Sequence, residues 1–511
     1  MTRFLERQAF WVTPLSPIHI GSAVDVDWTS AFVEPGRLVL FDPLRVTLSA
    51  QLAAALTKCI DQSAGSGNAG TVLVALQKLY RDHQKVFAKA EIADIAIPPR
   101  LADDIAGKFG HNVQRAAGPG EVRINTINTI NAIAIARTVF NNLCGRAIIP
   151  GSSMKGALKT AWVDHRLGQG ARGEKDKDIL GGRFQTDPFR LLSVEDCVAG
   201  DDVATCVVVA RNVKRTSSQK GKGLPVKVEV ISPLVAGAFR GAWRRTSLDG
   251  KMAVQLPSLK DLAIACTAFH RGRFDSHTAQ MRNLGVVDQP WLNDMTGLVE
   301  KTMAAELDSG SAMLIRLGKF CPAEFKTRRD CRIRVKVSRS DCEDRDKGTT
   351  FWLAGDDEAK TGQPFGWALV EFADEPSQKV RDWCAAQAEH SGAGWPVRSK
   401  RPAIVITATA PEVAMAAPPA SRIVAAATTD NEEKLERLEN ELERQAGLGK
   451  TFKMREAPGP MIENYLRQAS RGWSAAERLL LVRLIEEKAM PLLSAPGERS
   501  YLERRLGALK Q

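Results

Sequence analysis

The spacing of apolar residues predicts both helices and strands along the chain. Val72, Leu76, Leu79 and Tyr80 share one face of a helix over 71–90. Apolar runs bounded by Gly, Pro and Ser predict strands instead. The segments predicted as helices are 44–60, 71–90, 153–167 and most of 256–308. The segments predicted as strands are 9–21, 37–43 and three stretches within 312–372, and 187–197 and 201–213 are predicted as strands or strand-bordering segments.

The segment 205–232 has the pattern of a β-hairpin. Two apolar arms flank a tip rich in Ser, Gly and Lys, as expected for a turn between antiparallel strands. The pattern therefore predicts a basic projection. Its basic residues are Arg211, Lys214, Arg215, Lys220, Lys222 and Lys227.

Composition changes near residue 400, where an Ala-, Pro- and Thr-rich stretch is typical of a linker. Helical patterns follow it, one of them opening with Ser474 and Glu477 at capping-box spacing. These last helices either pack on the chain itself or dock on a partner, and the pattern leaves both open. The predicted organisation is a main body over 1–400 with a mostly helical insertion over 61–140 and the basic hairpin over 205–232, a linker over 401–431, and a helical appendage over 432–511.

The net charge of +12 lies mainly in the main body. Residues 1–400 hold 54 Lys and Arg against 44 Asp and Glu, whereas residues 401–511 hold 17 against 15. A basic excess favours a polyanionic partner, because each neutralised phosphate releases counterions. A basic protein without such a partner is the alternative that charge alone leaves open.

Cysteine usage and hydropathy exclude several classes of protein. The nine cysteines are scattered singly, with no Cys-x-x-Cys and no Cys/His pair at zinc spacing, which predicts reduced thiols and no metal or other cofactor. No run of about 18 apolar residues predicts a membrane span. Glu6 and Arg7 interrupt what would be the apolar core of a signal peptide, so we expect a cytoplasmic protein.

The segment IIPGSSMKGALKTAW (148–162) carries the most informative polar pattern. Its glycines allow close backbone approach, its serines are placed to cap the following helix, and its lysines lie four residues apart on one helical face. The pattern is not a Walker A motif, because the first lysine precedes the second glycine. An anion-binding helix N-terminus and a purely structural turn both remain open. The candidate residues are Gly151, Ser152, Ser153, Lys155, Gly156 and Lys159.

This segment resembles the glycine-rich loop of the RAMP superfamily of CRISPR-associated proteins. LSPIHIGS (15–22) resembles the superfamily's first strand, which ends in His-Ile-Gly, and it lies about 130 residues upstream. Three further segments resemble the capping-subunit family of type III-A (Csm) effector complexes, and the whole resemblance spans about residues 10–375. These segments are DPFRLLSVEDC (187–197), VKVEVISPLVAGAFRGAW (226–243) and PFGWALVEF (364–372).

The resemblance implies an α+β fold, with a ferredoxin-like RAMP core of RNA-recognition type, helical insertions and a C-terminal helical appendage. It implies a non-catalytic subunit that binds crRNA, caps the backbone filament at the crRNA 3′ end, and helps guide maturation and assembly. The implied partners are crRNA, target RNA and the backbone, large and small subunits of the complex. The residues implied to bind RNA are His19 and Gly21 at the first-strand end, the six loop residues, and the hairpin residues Arg211, Lys214, Arg215, Lys220 and Lys222.

The sequence departs from the family pattern at two places. Lys159 stands where arginine is usual, which keeps the charge but loses the planar fork. The segment 316–327 lacks the second glycine of a Gly-x-Gly motif, so we expect no RNA contact there.

Two alternative functions follow from other features. The first is a backbone or processing RAMP with endoribonuclease activity, for which Asp25, Asp27 and His19 are the candidates. A solvated loop for the aspartates and a structural role for the histidine are the preferred interpretations. The second alternative is a basic scaffold that recruits a host nuclease through its helical tail.

Overall fold

The structure, a computed structural model, forms two compact units, Met1–Val405 and Ile406–Gln511. Each unit is described by itself. The residues that the structure describes are 5–64, 69–111, 133–141, 144–217, 225–246, 255–336, 341–355, 359–390, 395, 430–447, 451–454, 456, 458–494 and 496–510.

Strands occur throughout the first unit. In chain order they are β1 (Leu5–Pro14), β2 (Gly21–Asp25), β3 (Ala31–Glu34), β4 (Arg37–Phe41), β5 (Glu91–Ala96), β6 (Ile135–Thr138), β7 (Ile148–Ile149), β8 (Leu192–Val194), β9 (Cys197–Ala199), β10 (Thr205–Lys214), β11 (Val226–Ile231), β12 (Phe239–Thr246), β13 (Ala312–Arg316), β14 (Ile333–Lys336), β15 (Cys342–Arg345), β16 (Thr350–Gly355), β17 (Gln363–Pro364) and β18 (Trp367–Glu371).

Helices occur in both units. Those of the first unit are α1 (Ala50–Ala64), α2 (Ala69–Asp82), α3 (Gln84–Phe87), α4 (Pro99–His111), α5 (Gly151–Gly168), α6 (Asp176–Ile179), α7 (Leu259–Asn283), α8 (Gln289–Gly297), α9 (Ala304–Ser309) and α10 (Gln378–His390). Those of the second unit are α11 (Asp430–Gly447), α12 (Gly459–Gly472), α13 (Ala475–Leu484) and α14 (Pro496–Lys510).

A seven-stranded antiparallel sheet contains the ferredoxin-like core. Its strand order is β13-β18-β1-β12-β9-β7, and β8 also pairs with β12. Within it, β1, α5, β9, β12, α7 and β18 follow one another along the chain in the β-α-β-β-α-β sequence of ferredoxin-like folds. The strand β1 lies between β12 and β18 and is antiparallel to both. The predicted α+β, ferredoxin-like class is therefore confirmed.

Helices α5 and α7 pack on one face of this sheet because apolar side chains of the sheet and of both helices are buried there. Phe10 on β1, Leu158 on α5 and Cys266 on α7 belong to one fully buried apolar cluster. Phe10 lies opposite Gly241 of β12. A Cβ at Gly241 would come within 2.6 Å of the Phe10 ring, so the glycine makes room for the phenylalanine.

A nine-stranded mixed sheet forms the second layer of the first unit. Its order is β2-β6-β11-β10-β5-β4-β3, and β16 and β17 extend from β10. Helices α2, α3 and α4 lie within 61–140, as the predicted insertion requires, but β5 and β6 also lie there and join the sheet. The sequence prediction missed β5 because only Ala93 and Ile95 of that strand are buried, and an alternation this short is a weak signal.

The second unit has its own apolar core. Leu442 of α11, Leu466 of α12, Leu481 of α13 and Leu502 of α14 are all buried in one cluster. The predicted capping box opens α13: the Glu477 N–H donates to Ser474 Oγ at 3.3 Å, and the Ser474 N–H donates to Glu477 Oε2 at 2.7 Å. In neither unit is a described helix both long and apolar enough to cross a membrane.

His270 of α7 is buried beneath the seven-stranded sheet. Its Nδ1–H donates to the Cys266 carbonyl at 2.8 Å, and its ring stacks on Phe325. Burial lowers the pKa of His270 from 6.5 to about 3. The folded state therefore holds the neutral imidazole, whereas the unfolded chain takes up a proton as soon as the pH falls below the ordinary value.

We predict that this histidine makes the protein less stable in acid. The free energy of unfolding should fall between pH 6.5 and about 3, by up to ~1.4 kcal/mol per pH unit for this one proton. Urea unfolding across this range should show a shallower pH slope in His270→Gln, which keeps an N–H donor for Cys266. The exposed His83→Gln is the control. Equal slopes in both variants would contradict the prediction.

Candidate nucleic-acid interface

Gly151 begins α5 in direct contact with the turn between β8 and β9. A Cβ at this position would overlap the carbonyl group of Val194, so only glycine fits. The Gly151 N–H donates to Asp196 Oδ1 at 2.7 Å. The first N–H of the helix is therefore already paired with a carboxylate of the chain, and the simple anion-binding N-terminus considered from sequence is partly occupied.

The two serines of the loop do not cap the helix, which corrects the sequence prediction. The helix begins at Gly151 rather than residue 153, and Pro150 is the N-cap residue. The Pro150 carbonyl accepts hydrogen bonds from the N–H groups of Ser153 and Met154, at 2.9 and 3.3 Å. The Ser152 side chain is exposed and that of Ser153 is half-buried. Neither hydroxyl is hydrogen-bonded to another residue in the described part of the chain.

Gly156 lies in the second turn of α5 and faces outward. Apart from its chain neighbours and the backbone of its own helix, no described atom lies within 4 Å of the position that a Cβ would take. Glycine inside a helix costs about 1 kcal/mol relative to alanine. The packing that the structure describes does not explain why glycine stands here in spite of this cost. Close approach of a ligand to the helix surface would explain it.

The two lysines of the loop have different surroundings. Lys159 Nζ forms an ion pair with Asp187 Oδ2 and lies 6.0 Å from the centre of the Phe189 ring. Lys155 is half-buried and forms no hydrogen bond or ion pair with any described residue. Partial burial lowers the pKa of Lys155, an effect that Asp187 opposes and Lys159 reinforces. Lys155 is therefore the ammonium that is open to an external anion.

His19 is buried at the end of the first-strand segment. Its Nδ1–H donates to the Glu229 carbonyl at 2.7 Å, and its ring packs against Phe320. Burial lowers the pKa of His19, so the ring is neutral. The Glu229 carboxylate accepts hydrogen bonds from Arg137 Nε and the Thr138 N–H, at 3.0 and 3.3 Å. His19 thus joins this strand end to β11 and β6.

Gly21 starts β2 beside the segment for which no RNA contact is expected from sequence. A Cβ at Gly21 would meet Lys319 Cδ at 3.5 Å, an ordinary contact distance. Gly318 has a φ of +100°, and a Cβ there would lie 2.5 Å from the His19 carbonyl oxygen. This glycine lets the Lys319 N–H donate to the same carbonyl at 2.9 Å. The exposed Lys319, which sequence reasoning missed, is thereby held next to Gly21.

The arms of the basic hairpin are β10 and β11, paired antiparallel from Thr205 opposite Ile231 to Ala210 opposite Val226. Beyond this, β10 continues alongside β16 as far as Lys214, which is half-buried. The tip residues Lys220 and Lys222 lie outside the described residues and stay a prediction.

Two arginines of the hairpin point into the protein, which departs from the sequence prediction that they face RNA. Arg211 is 4 % exposed and donates to the carbonyls of Ala359 and Thr361. Arg215 is 7 % exposed, packs on the Phe351 ring and forms an ion pair with Glu324. Charged groups enter a protein interior only with such partners, and sequence spacing does not show the partners.

Glu324 joins the tip-side end of β10 to α7. Besides Arg215, its carboxylate accepts a hydrogen bond from His277 Nε2 at 2.7 Å. Burial opposes ionisation of Glu324, but His277 and Arg215 outweigh it and lower its pKa to about 2. The described residues contain no group of three or more His, Cys, Asp or Glu side chains placed to hold a metal ion.

Sequence reasoning missed the two carboxylates that serve the loop. Asp187 pairs with Lys159, and Asp196 accepts from Gly151. One signal was present: Asp187 precedes a proline, a frequent start of a helical turn. The structure has a 3₁₀ turn there, Pro188–Leu191, directly before β8, where a strand or a strand-bordering segment was predicted.

The ferredoxin-like sheet and the glycine-rich start of α5 define a fold of RNA-recognition type. The family model of the RAMP superfamily matches residues 11–261, from β1 to the start of α7. This match confirms the resemblance to the RAMP superfamily found in the sequence. No curated protein gave a significant match.

The solved structures that are similar to the chain include two that contain Csm proteins. One is a chain of the cryo-EM structure of a Csm–crRNA–target RNA ternary complex in a type III-A CRISPR-Cas system, with 17% identity and a TM-score of 0.44 over 72% of this chain and 100% of that one. The other is the crystal structure of Csm5 from T. onnurineus, with 15% identity and a TM-score of 0.38 over 71% of this chain and 99% of that one.

The two loop glycines should respond oppositely to the same substitution. Gly151→Ala places a Cβ on the Val194 carbonyl and should lower the free energy of unfolding by about 1–3 kcal/mol. Gly156→Ala places it in open space and should raise the free energy of unfolding by about 0.5–1 kcal/mol. Urea unfolding of the three proteins checks this. A destabilised Gly156→Ala would show that packing requires this glycine.

Proposed function

We propose that the chain is a non-catalytic crRNA-binding subunit of a type III CRISPR effector complex, which caps the backbone filament at the crRNA 3′ end and helps guide maturation and assembly. The observation that carries the proposal is the surface at the start of α5, hereafter the loop surface. It consists of Ser152, Ser153, Lys155 and Gly156. The two serine hydroxyls and the Lys155 ammonium have no hydrogen-bonding or ion-pair partner in the described part of the chain.

The chemistry of the loop surface suits an RNA backbone. Hydroxyl groups bind phosphate oxygens and ribose hydroxyls, an ammonium neutralises a phosphate, and a glycine lets the strand lie on the helix. None of these groups distinguishes one base from another. Contacts of this kind position RNA without reading its sequence, as a subunit must do when it accepts guides of any sequence.

The match to the RAMP superfamily and the charge of the main body support the same partner. The basic excess of residues 1–400 gives long-range attraction for a polyanion. The choice of capping subunit within the superfamily rests on the order of the segments at 187–197, 226–243 and 364–372. With that choice come the proposed partners, namely crRNA, target RNA and the backbone, large and small subunits.

The hydrogen bonds of Asp27 indicate a structural role for this residue rather than a role in RNA cleavage. Its Oδ1 accepts hydrogen bonds from the Thr29 N–H at 2.9 Å and from Thr29 Oγ1 at 2.7 Å. This is the local pattern by which aspartate stabilises a turn. Asp25 ends β2 and is exposed. These surroundings support the non-catalytic proposal.

We predict that bulk at Gly156 abolishes guide capture while the fold remains intact. Gly156→Phe fills the open space above α5, whereas Gly156→Ala adds only one methyl group. Both residues favour a helix more than glycine does, so neither should unfold the protein. The crRNA recovered with the purified complex should fall at least about tenfold in Gly156→Phe, because displaced phosphates lose charge-assisted hydrogen bonds worth about 1.5–3 kcal/mol. Gly156→Ala should retain most of it.

Full crRNA recovery with Gly156→Phe would show that the RNA does not bind across the loop surface. A wild-type preparation that never contains RNA of discrete length and never joins an effector complex would overturn the proposed function as a whole.

We further predict that neither aspartate contributes to cleavage of target RNA. The paired substitution Asp25→Asn with Asp27→Asn keeps the hydrogen-bonding shape of the turn and removes both charges. Target-RNA cleavage by the assembled complex should continue at the wild-type rate. Loss of cleavage in a complex of normal composition would favour the endoribonuclease alternative.

A further inference from the structure

The ion pair between Lys159 and Asp187 lies beside the loop surface and is shielded from solvent. The Lys159 side chain is 33% exposed and the Asp187 side chain is 16% exposed. A pair at this depth is screened less than a pair on the open surface, and removal of one partner leaves a partly buried charge without its counterion.

Asp187 is also fixed by the backbone. Its Oδ1 accepts from the Phe189 N–H at 2.9 Å as the N-cap of the turn Pro188–Leu191, while Oδ2 faces Lys159. The carboxylate therefore cannot turn away without losing its cap. Lys159 is thus paired with a carboxylate that the turn also holds, and its ammonium lies 6.0 Å from the centre of the Phe189 ring.

Lys155 lies one helical turn earlier and has no such partner among the described residues. Both lysines lie on the same side of α5, and Asp187 acts electrostatically on each of them. A phosphate that approached Lys159 would have to displace Asp187 and would then face its uncompensated negative charge. A phosphate at Lys155 displaces nothing.

We propose that Asp187 withholds Lys159 from RNA, so that the loop surface engages the RNA backbone through the single ammonium of Lys155. This inference rests on the proposed function and assigns the charge chemistry within it. It replaces the two-lysine cradle suggested by the sequence with one phosphate contact at Lys155, beside Gly156, and a neutral ion pair one helical turn later.

Salt dependence of RNA binding tests this assignment. The full chain is titrated with a labelled single-stranded RNA of mixed sequence at several salt concentrations, and the slope of log K against log salt is compared. Each lysine–phosphate contact on a single strand contributes about 0.7 to the magnitude of the slope. The variants are Lys155→Gln, Asp187→Asn and the double variant Asp187→Asn with Lys159→Gln, which removes the pair without changing net charge.

The two single variants should change the magnitude of the slope in opposite directions. Lys155→Gln should lower the magnitude by about 0.7, and Asp187→Asn should raise it by about 0.7, because Lys159 becomes free while asparagine still caps the turn. The double variant should match the wild type in slope and affinity. A normal unfolding midpoint confirms that each variant keeps its fold.

Two results would overturn the inference while the proposed function stands: a double variant whose slope falls as far as that of Lys155→Gln, or a folded Asp187→Asn with an unchanged slope. If Asp187→Asn fails to fold, the inference is tested by comparing the slope of the double variant with that of Lys155→Gln. A wild-type chain that binds no RNA at any salt concentration would overturn both the inference and the proposed function.

Discussion

The contact between Gly151 and the carbonyl of Val194 determines where the loop surface lies. Because residue 151 has no side chain, the first turn of α5 rests directly on the turn between β8 and β9. Asp196 then ties the first N–H of the helix to the same turn. The helix start is thus fixed to the strands of the seven-stranded sheet, and every group of the loop surface takes its position from this contact. A larger residue would push the helix, and with it Lys155 and Gly156, away from the sheet.

Some polar and charged groups around this contact are paired within the chain, and others are available to a ligand. Asp196 and Asp187 each satisfy a group that sequence motifs would assign to a ligand, namely a helix N–H and a lysine. What remains available is small: two serine hydroxyls, one ammonium and a bare stretch of helix at Gly156. A site with few charges binds a flexible polyanion weakly by itself. Such a site is suited to a subunit that acts within an assembly, where many weak backbone contacts add together.

Sequence patterns predicted the local elements of the chain well and the long-range partners within the site poorly. The helix after Pro150, the hairpin arms and the capping box at Ser474 follow from spacing and turn residues within a few positions of each other. The ion pair of Arg215 joins residues 109 positions apart, and that of Lys159 joins residues 28 apart. The periodicity of apolar residues gives no information about ion pairs between residues so far apart in sequence. The two glycines of the loop also look alike in sequence, yet one is required by a neighbouring carbonyl and the other has open space around it.

The buried Glu324 has a mechanical consequence for the hairpin. It bonds Arg215, at the end of β10, to His277 on α7. The same helix packs with α5 in the core beneath the seven-stranded sheet. The outer end of β10 is therefore tied to the helix that also supports the start of α5, like a beam braced near its free end. The end of the hairpin arm and the start of α5, which are distant in sequence, are thus both attached to one helix.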